Sequence, residues 1–127
     1  MRFLILIAVV SMLFLSPAQA QDKGRDAIAE EKGVASFYSW RHQGRRIANG
    51  KRFNALGATA ASRTLPLGSR VRVTNLANGK STDVTVEDRG PYVGGRIMDL
   101  SLGAARRLGM TKMGLAVVRI TPLPASR

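Results

Sequence analysis

Apolar and polar residues alternate along two neighbouring stretches of the chain. In Arg70-Val71-Arg72-Val73 and in Asp83-Val84-Thr85-Val86-Glu87 every second residue is a valine. Side chains two apart share one face of a strand, so each stretch presents one apolar and one polar face. Between them stands Ala77-Asn78-Gly79-Lys80, and Asn-Gly between alternating runs is the strongest local signal for a β-hairpin. Continued to the end of the second run, the alternation puts Asp88 on the valine face and Glu87 on the opposite one. Arg89-Gly90-Pro91 ends the strand directly afterwards, which leaves Asp88 at the rim of the apolar interior. A rim position suits a group that must both hold and release a proton. The plainer alternative is a structural aspartate that caps the following turn or pairs with Arg89 or Arg96.

Other elements follow from the same pattern. Ser101 precedes "LGAARRL" and Gly109 follows it, the N-cap and C-terminal stop of a helix of about two turns. Asp99, two residues before the cap, reads as a hydrogen-bond partner of the helix entrance. "LAVVRITPL" predicts a strand with Ala116, Val118 and Ile120 on one face, "GVASFYSW" an opening strand, and "TLPLGSRV" a turn into the hairpin. Many short strands, one or two short helices and frequent Gly/Pro punctuation predict a mainly β fold, a small barrel.

The N-terminus follows a different rule. One arginine, Arg2, an apolar run from Phe3 and an Ala18-Gln19-Ala20 ending are the pattern of a signal peptide cleaved after residue 20. Residues 21–32 are polar and aperiodic, a flexible tether. The domain is then placed at 33–122, with a tail at 123–127. Removing 20 of the 127 residues leaves 107, enough for one small domain. The chain has no cysteine, so it forms no disulfide, offers no thiol nucleophile and lacks a lipidation site at the cleavage point. We therefore expect an exported protein without a stable membrane anchor, and monomeric.

Charge narrows the partners. Of the formal net charge of +12, Arg2 supplies one, so the mature chain keeps +11 and is attracted to anionic polymers. Nucleic acid fits that charge, but the export signal and the absence of arrayed stacking aromatics argue against it. Cell-wall carboxylates and phosphates, or acidic lipid headgroups, remain.

"GVASFYSW", "GRRIANGKRFN", "ATAASRTLPLGSRVRVTNLANGKS", "VEDRGPY" and "RIMDLS..AARRLGM" together resemble the RlpA (rare lipoprotein A) family. The resemblance covers about Gly33 to Pro122. It implies a six-stranded double-psi β-barrel and a cell-wall protein of the Gram-negative periplasm, whose characterised relatives are lytic transglycosylases. These cut peptidoglycan strands between N-acetylmuramic acid and N-acetylglucosamine without metal or other cofactor. The same barrel occurs in expansins, which loosen walls without hydrolysis. The family's catalytic acid of "NGE.F", histidine of "TAAH" and aspartate of "DRGP" fall on Lys51, Ser62 and Asp88, so only the aspartate is kept. The sole histidine, His42, reads as an exposed loop residue, with a displaced catalytic histidine as the alternative.

One carboxylate is still mechanistically sufficient for this reaction. Hydrolytic glycosidases use two because one protonates the leaving oxygen while the other activates water or forms an intermediate. In a lytic transglycosylase the nucleophile is the sugar's own C6 hydroxyl, already beside the reacting carbon. The expected site is Asp88 as acid and base, with Arg89, Asp99, Lys51, Ser62, Asn49 and Arg96 as substrate contacts. Peptidoglycan glycan is the expected partner, and a catalytically impaired, expansin-like binding module is the alternative.

Overall fold

The two valine runs pair with each other in the computed structural model, which describes residues 30–38 and 42–124. β3 (Arg70–Asn75) and β4 (Ser81–Asp88) are antiparallel, with Val71 opposite Val84 and Arg72 opposite Asp83. The four valines are fully buried. Their polar neighbours face water, where Arg72 Nε meets Asp83 Oδ1 at 2.8 Å. That contact holds the Asp83 carboxyl below its ordinary range. Gly79 closes the loop with a φ of 75°, a conformation that glycine adopts at little cost.

Four further strands complete a closed barrel. β1 (Glu31–Phe37), β2 (Thr59–Ala61), β5 (Arg96–Leu100) and β6 (Ala116–Pro122) join β3 and β4 in the order β1-β5-β2-β4-β3-β6. The β1/β5 and β2/β4 pairs are parallel and the other four antiparallel. The fold is thus a mainly β, six-stranded double-psi barrel. Closure leaves no strand edge open to another chain.

Val71, Val73, Val84, Val86, Met98, Leu100, Val118 and Ile120 fill the interior, each contributing about 1.5–3 kcal/mol by leaving water. α1 (Leu102–Arg107), the one helix among the described residues, closes an end of this core with Ala104, Ala105 and Leu108. Its start is the expected one: Ser101 Oγ accepts from Ala104 N at 3.2 Å. Its far end is tied to the hairpin loop, since Asn75 and Asn78 each donate a side-chain N–H to the Leu108 carbonyl at 2.9 Å.

Three expectations change. β1 begins at Glu31, so Glu31 and Lys32 belong to the barrel and not to the tether; Glu31 pairs with Ile120 of β6. Asp99 does not reach the helix entrance. It sits mid-strand in β5 directly across from Ser36 of β1 and accepts that residue's hydroxyl. β2 and β5, which local pattern did not single out, are strands because of what they pair with. The signal peptide, the tether up to residue 29 and the tail from residue 125 lie outside the described residues. Among those described, no helix is long and apolar enough to cross a membrane.

Candidate active site

Between β1 and β2 the chain makes an irregular hairpin, residues 44–53. Gly44 N donates to Phe53 O at 2.9 Å, Phe53 N to Arg45 O at 2.6 Å and Ile47 N to Lys51 O at 3.0 Å. Phe53, Ala55 and Leu102 form a second apolar cluster, against which Phe37, Tyr38 and Ile47 pack. The hairpin is also fastened to the end of β4, where Asn49 N donates to Glu87 O at 3.2 Å.

Asp88 is the meeting point of these parts. Its Oδ1 accepts Ala48 N from the hairpin and Arg89 N from its own turn, each at 2.9 Å. Its Oδ2 accepts the Tyr38 hydroxyl at 2.9 Å. A carboxylate oxygen has about two lone-pair sites. Oδ1 is therefore fully engaged by backbone, and Oδ2 keeps one position open. Burial, reinforced by the hydrogen bond to Asp88 and by the charges of Asp88 and Asp99, pushes the Tyr38 phenol well above its ordinary value. Tyr38 thus remains a donor through the physiological range.

The open side of Asp88 faces a cleft of about 330 Å³, walled by Tyr38, His42, Arg45, Arg46, Ile47, Phe53, Arg89 and Tyr92. His42 is half-buried; its ring lies 5.1 Å from that of Tyr38, and its Nδ1 is 3.1 Å from Arg45 Nη1. Because arginine only donates, Nδ1 is the acceptor and the other ring nitrogen is left for the cleft. Arg89 reaches the other way, its Nη1 donating to the Ser62 and Leu65 carbonyls at 2.9 and 2.7 Å. Arg89 therefore braces the 62–65 turn and does not pair with Asp88.

The remaining expected contacts do not line this cleft. Ser62 adjoins Asp88 through the main chain, its N–H donating to the Asp88 carbonyl at 3.1 Å. Its side chain is 2% exposed and turned to the 62–65 turn, where the hydroxyl accepts Thr64 N and Leu65 N at 3.2 and 3.0 Å. Asn49 and Lys51 line a separate open groove of about 500 Å³ with Ala48, Leu67, Gly68, Thr85 and Glu87, where Asn49 Oδ1 accepts Lys51 N at 2.9 Å. Arg96 follows the 92–95 turn, with its carbonyl held by Arg63 Nη2 at 3.2 Å. Tyr38, Arg45, Arg46, Phe53 and Tyr92 were not expected at the site. For Tyr38 a cue was present: it directly follows an alternating strand and carries a polar tip on an apolar body. Among the described residues no group of three or more His, Asp or Glu side chains is placed to hold a metal ion.

The described residues thus form a closed double-psi barrel with the Asp88 carboxylate lining a cleft. The chain belongs to the lytic transglycolase family, which it matches over residues 30–120. A probable endolytic peptidoglycan transglycosylase RlpA of Synechocystis sp. is 54% identical over 88 residues, covering 69% of this chain and 27% of that protein. The endolytic peptidoglycan transglycosylase RlpA of Pseudomonas aeruginosa is 50% identical over 88 residues, covering 69% and 26%. The protein of that name from Neisseria meningitidis is 47% identical over 98 residues, covering 76% and 41%. This chain thus spans well under half the length of each of these relatives. Among solved structures, apo expansin of Clavibacter michiganensis superposes with a TM-score of 0.61 at 25% identity, over 78% of this chain and 52% of that one. Streptomyces papain inhibitor does so with a TM-score of 0.59 at 22% identity, over 76% and 96%.

Proposed function

We propose that this chain is an exported, RlpA-like endolytic peptidoglycan transglycosylase in which Asp88 is both acid and base. The observation that carries the reading is the state of the Asp88 carboxyl: Asp88 lines the cleft, Oδ1 is engaged by two backbone donors, and Oδ2 accepts one hydrogen bond, from Tyr38. A proton held on Oδ2 passes to the glycosidic oxygen as its bond to C1 of the N-acetylmuramic acid breaks. The C6 hydroxyl of the same sugar then forms the new bond to C1, and Oδ2 takes back its proton. One group serves both steps, and the product is a 1,6-anhydro end. Tyr38 acts as a positioning residue that holds Oδ2 in place.

The second reading, a wall-binding module without turnover, draws on Lys51 and Ser62. They stand at two of the family's three catalytic positions, and neither lines the Asp88 cleft. The two readings separate in one experiment. The chain from residue 21 to 127 and its Asp88→Asn variant are incubated with intact and peptide-stripped sacculi, and the released fragments are weighed by mass spectrometry. Anhydro-ended glycan from the parent chain alone supports the enzyme. Pelleting of both with the wall and no fragments from either leaves the binding module.

A further inference from the structure

Three guanidinium groups share the cleft with one carboxylate. Arg45, Arg46 and Arg89 line it beside Asp88, yet the ion pairs among the described residues are Arg72–Asp83 and Arg119–Glu30. Asp88 forms an ion pair with none of the three; its hydrogen bonds come from Tyr38 and from the backbone N–H groups of Ala48 and Arg89. Arg89 is committed to two carbonyls of the 62–65 turn. Arg45 and Arg46 differ from it. Both are exposed, and among the described residues each has one side-chain hydrogen bond, Arg45 with His42 Nδ1 and Arg46 with the Gly50 carbonyl, both at 3.1 Å. A guanidinium has five N–H donors, so most of each fork has no partner among the described residues. The hairpin that carries them is pinned to Asp88 itself through Ala48 N, which fixes their charge relative to the acid.

We infer that Arg45 and Arg46 form a carboxylate-receiving wall of this cleft, and that the glycan it takes carries carboxylates close to the bond presented to Asp88. The inference rests on reading the cleft as a peptidoglycan site. Bidentate pairing of a planar guanidinium with a carboxylate supplies the recognition. Such a strand offers the carboxylate from two sources: the lactyl group on the muramic ring, free once the stem peptide is gone, and the acidic residues of the stem peptide. A neutral N-acetylglucosamine polymer offers neither.

The test measures pelleting with four kinds of sacculi: peptide-bearing and amidase-stripped, each with its carboxyls native or converted to neutral amides. The Asp88→Asn chain is used, so that turnover does not erode the ligand. Amidation is expected to weaken binding at least about tenfold, in line with the worth of hydrogen bonds to charged groups. Arg45→Gln/Arg46→Gln is expected to lose as much on unmodified wall and little more on amidated wall. Arg106→Gln/Arg107→Gln, an equal charge change on α1 outside the cleft, is expected to lose far less. Retention on stripped sacculi assigns the lactyl carboxylate and loss assigns the stem peptide; either supports the wall. Binding unchanged by amidation of both the peptide-bearing and the stripped wall overturns it, as does an equal loss in the α1 variant. The amidation arm needs no further substitution, so poor folding of the double variant does not leave the question open. If the parent chain releases no anhydro fragments, the transglycosylase reading fails while the binding result stands.

Discussion

The Tyr38 hydroxyl donates to Asp88 Oδ2 at 2.9 Å, joining residues 50 positions apart in the sequence. The bond ties the end of β1 to the end of β4, and it engages the one carboxylate oxygen that no backbone donor holds. Oδ1 is held independently by two backbone donors. Tyr38→Phe therefore leaves Asp88 anchored but frees Oδ2 to lose its orientation. Turnover of glycan strands is expected to fall by at least about tenfold, the worth of a hydrogen bond to a charged group, with KM nearly unchanged. Steady-state kinetics on isolated strands checks this, and a change confined to KM would count against a positioning role.

The same environment makes stability depend on alkaline pH. The Tyr38 phenol is raised in the folded state by burial and by Asp88, while an unfolded chain releases its phenol proton at about pH 10. Between that pH and the raised value the native state holds more protons than the unfolded one. Stability from this group is thus complete below about pH 10 and declines above it. Denaturant midpoints measured from neutral to alkaline pH should fall more steeply for the parent chain than for Tyr38→Phe. Parallel curves would remove Tyr38 as the cause.

Asn75 and Asn78 both donate to the Leu108 carbonyl at 2.9 Å, so their substitutions should not add. Asn75 is 3% exposed and also accepts Ala77 N at 3.0 Å; Asn75→Ala is expected to cost about 1–3 kcal/mol. Asn78 is exposed, and with Asn75 present Asn78→Ala is expected to cost less than about 0.5 kcal/mol. With Asn75 already replaced, the carbonyl has lost its other partner and removing Asn78 should cost more. A double-mutant cycle in urea reads the coupling, and strictly additive losses would sink the shared-acceptor account.

What was legible in the sequence was whatever a local signal encodes. The β3–β4 hairpin is written in alternating valines around Asn-Gly, and α1 in Ser101 and Gly109. Asp88 was readable because strand alternation and the turn after it set its position. β2 was not, because Thr59–Ala61 is too short to show a period and exists through parallel pairing with β4 and antiparallel pairing with β5. Asp99 misled because proximity along the chain pointed to the helix, whereas Ser36 is its neighbour only across a parallel strand pair. The motif grouped Ser62 and Lys51 with Asp88. The fold does bring the Ser62 backbone to Asp88, but it turns the Ser62 hydroxyl into the 62–65 turn and puts Lys51 in another groove. Arg45 and Arg46 reach the cleft because the 44–53 hairpin folds back onto β4, a long-range event that no local pattern announces.

Gly103 links the helix to the site. It lies in the first turn of α1 and donates its N–H to Ala55 O at 2.8 Å. A Cβ there would lie 2.8 Å from the Leu56 carbonyl carbon and 3.1 Å from Gly57 O, both backbone, so the 55–57 segment would have to move. Alanine gains about 1 kcal/mol of helix propensity over glycine, but forcing atoms into a packed contact costs about 1–3 kcal/mol. Gly103→Ala is therefore expected to be mildly destabilised, lowering Tm by about 4–8 °C for each kcal/mol lost in a domain of this size. Turnover should suffer more than stability. The displaced segment leads back through Ala55 and Phe53 to the hairpin whose Ala48 N holds Asp88, and a shift of about 1 Å in a reacting group can cost about a hundredfold. Thermal melts and fragment release measured side by side decide it: a variant with unchanged Tm and full activity would show that the 55–57 segment yields without disturbing the acid.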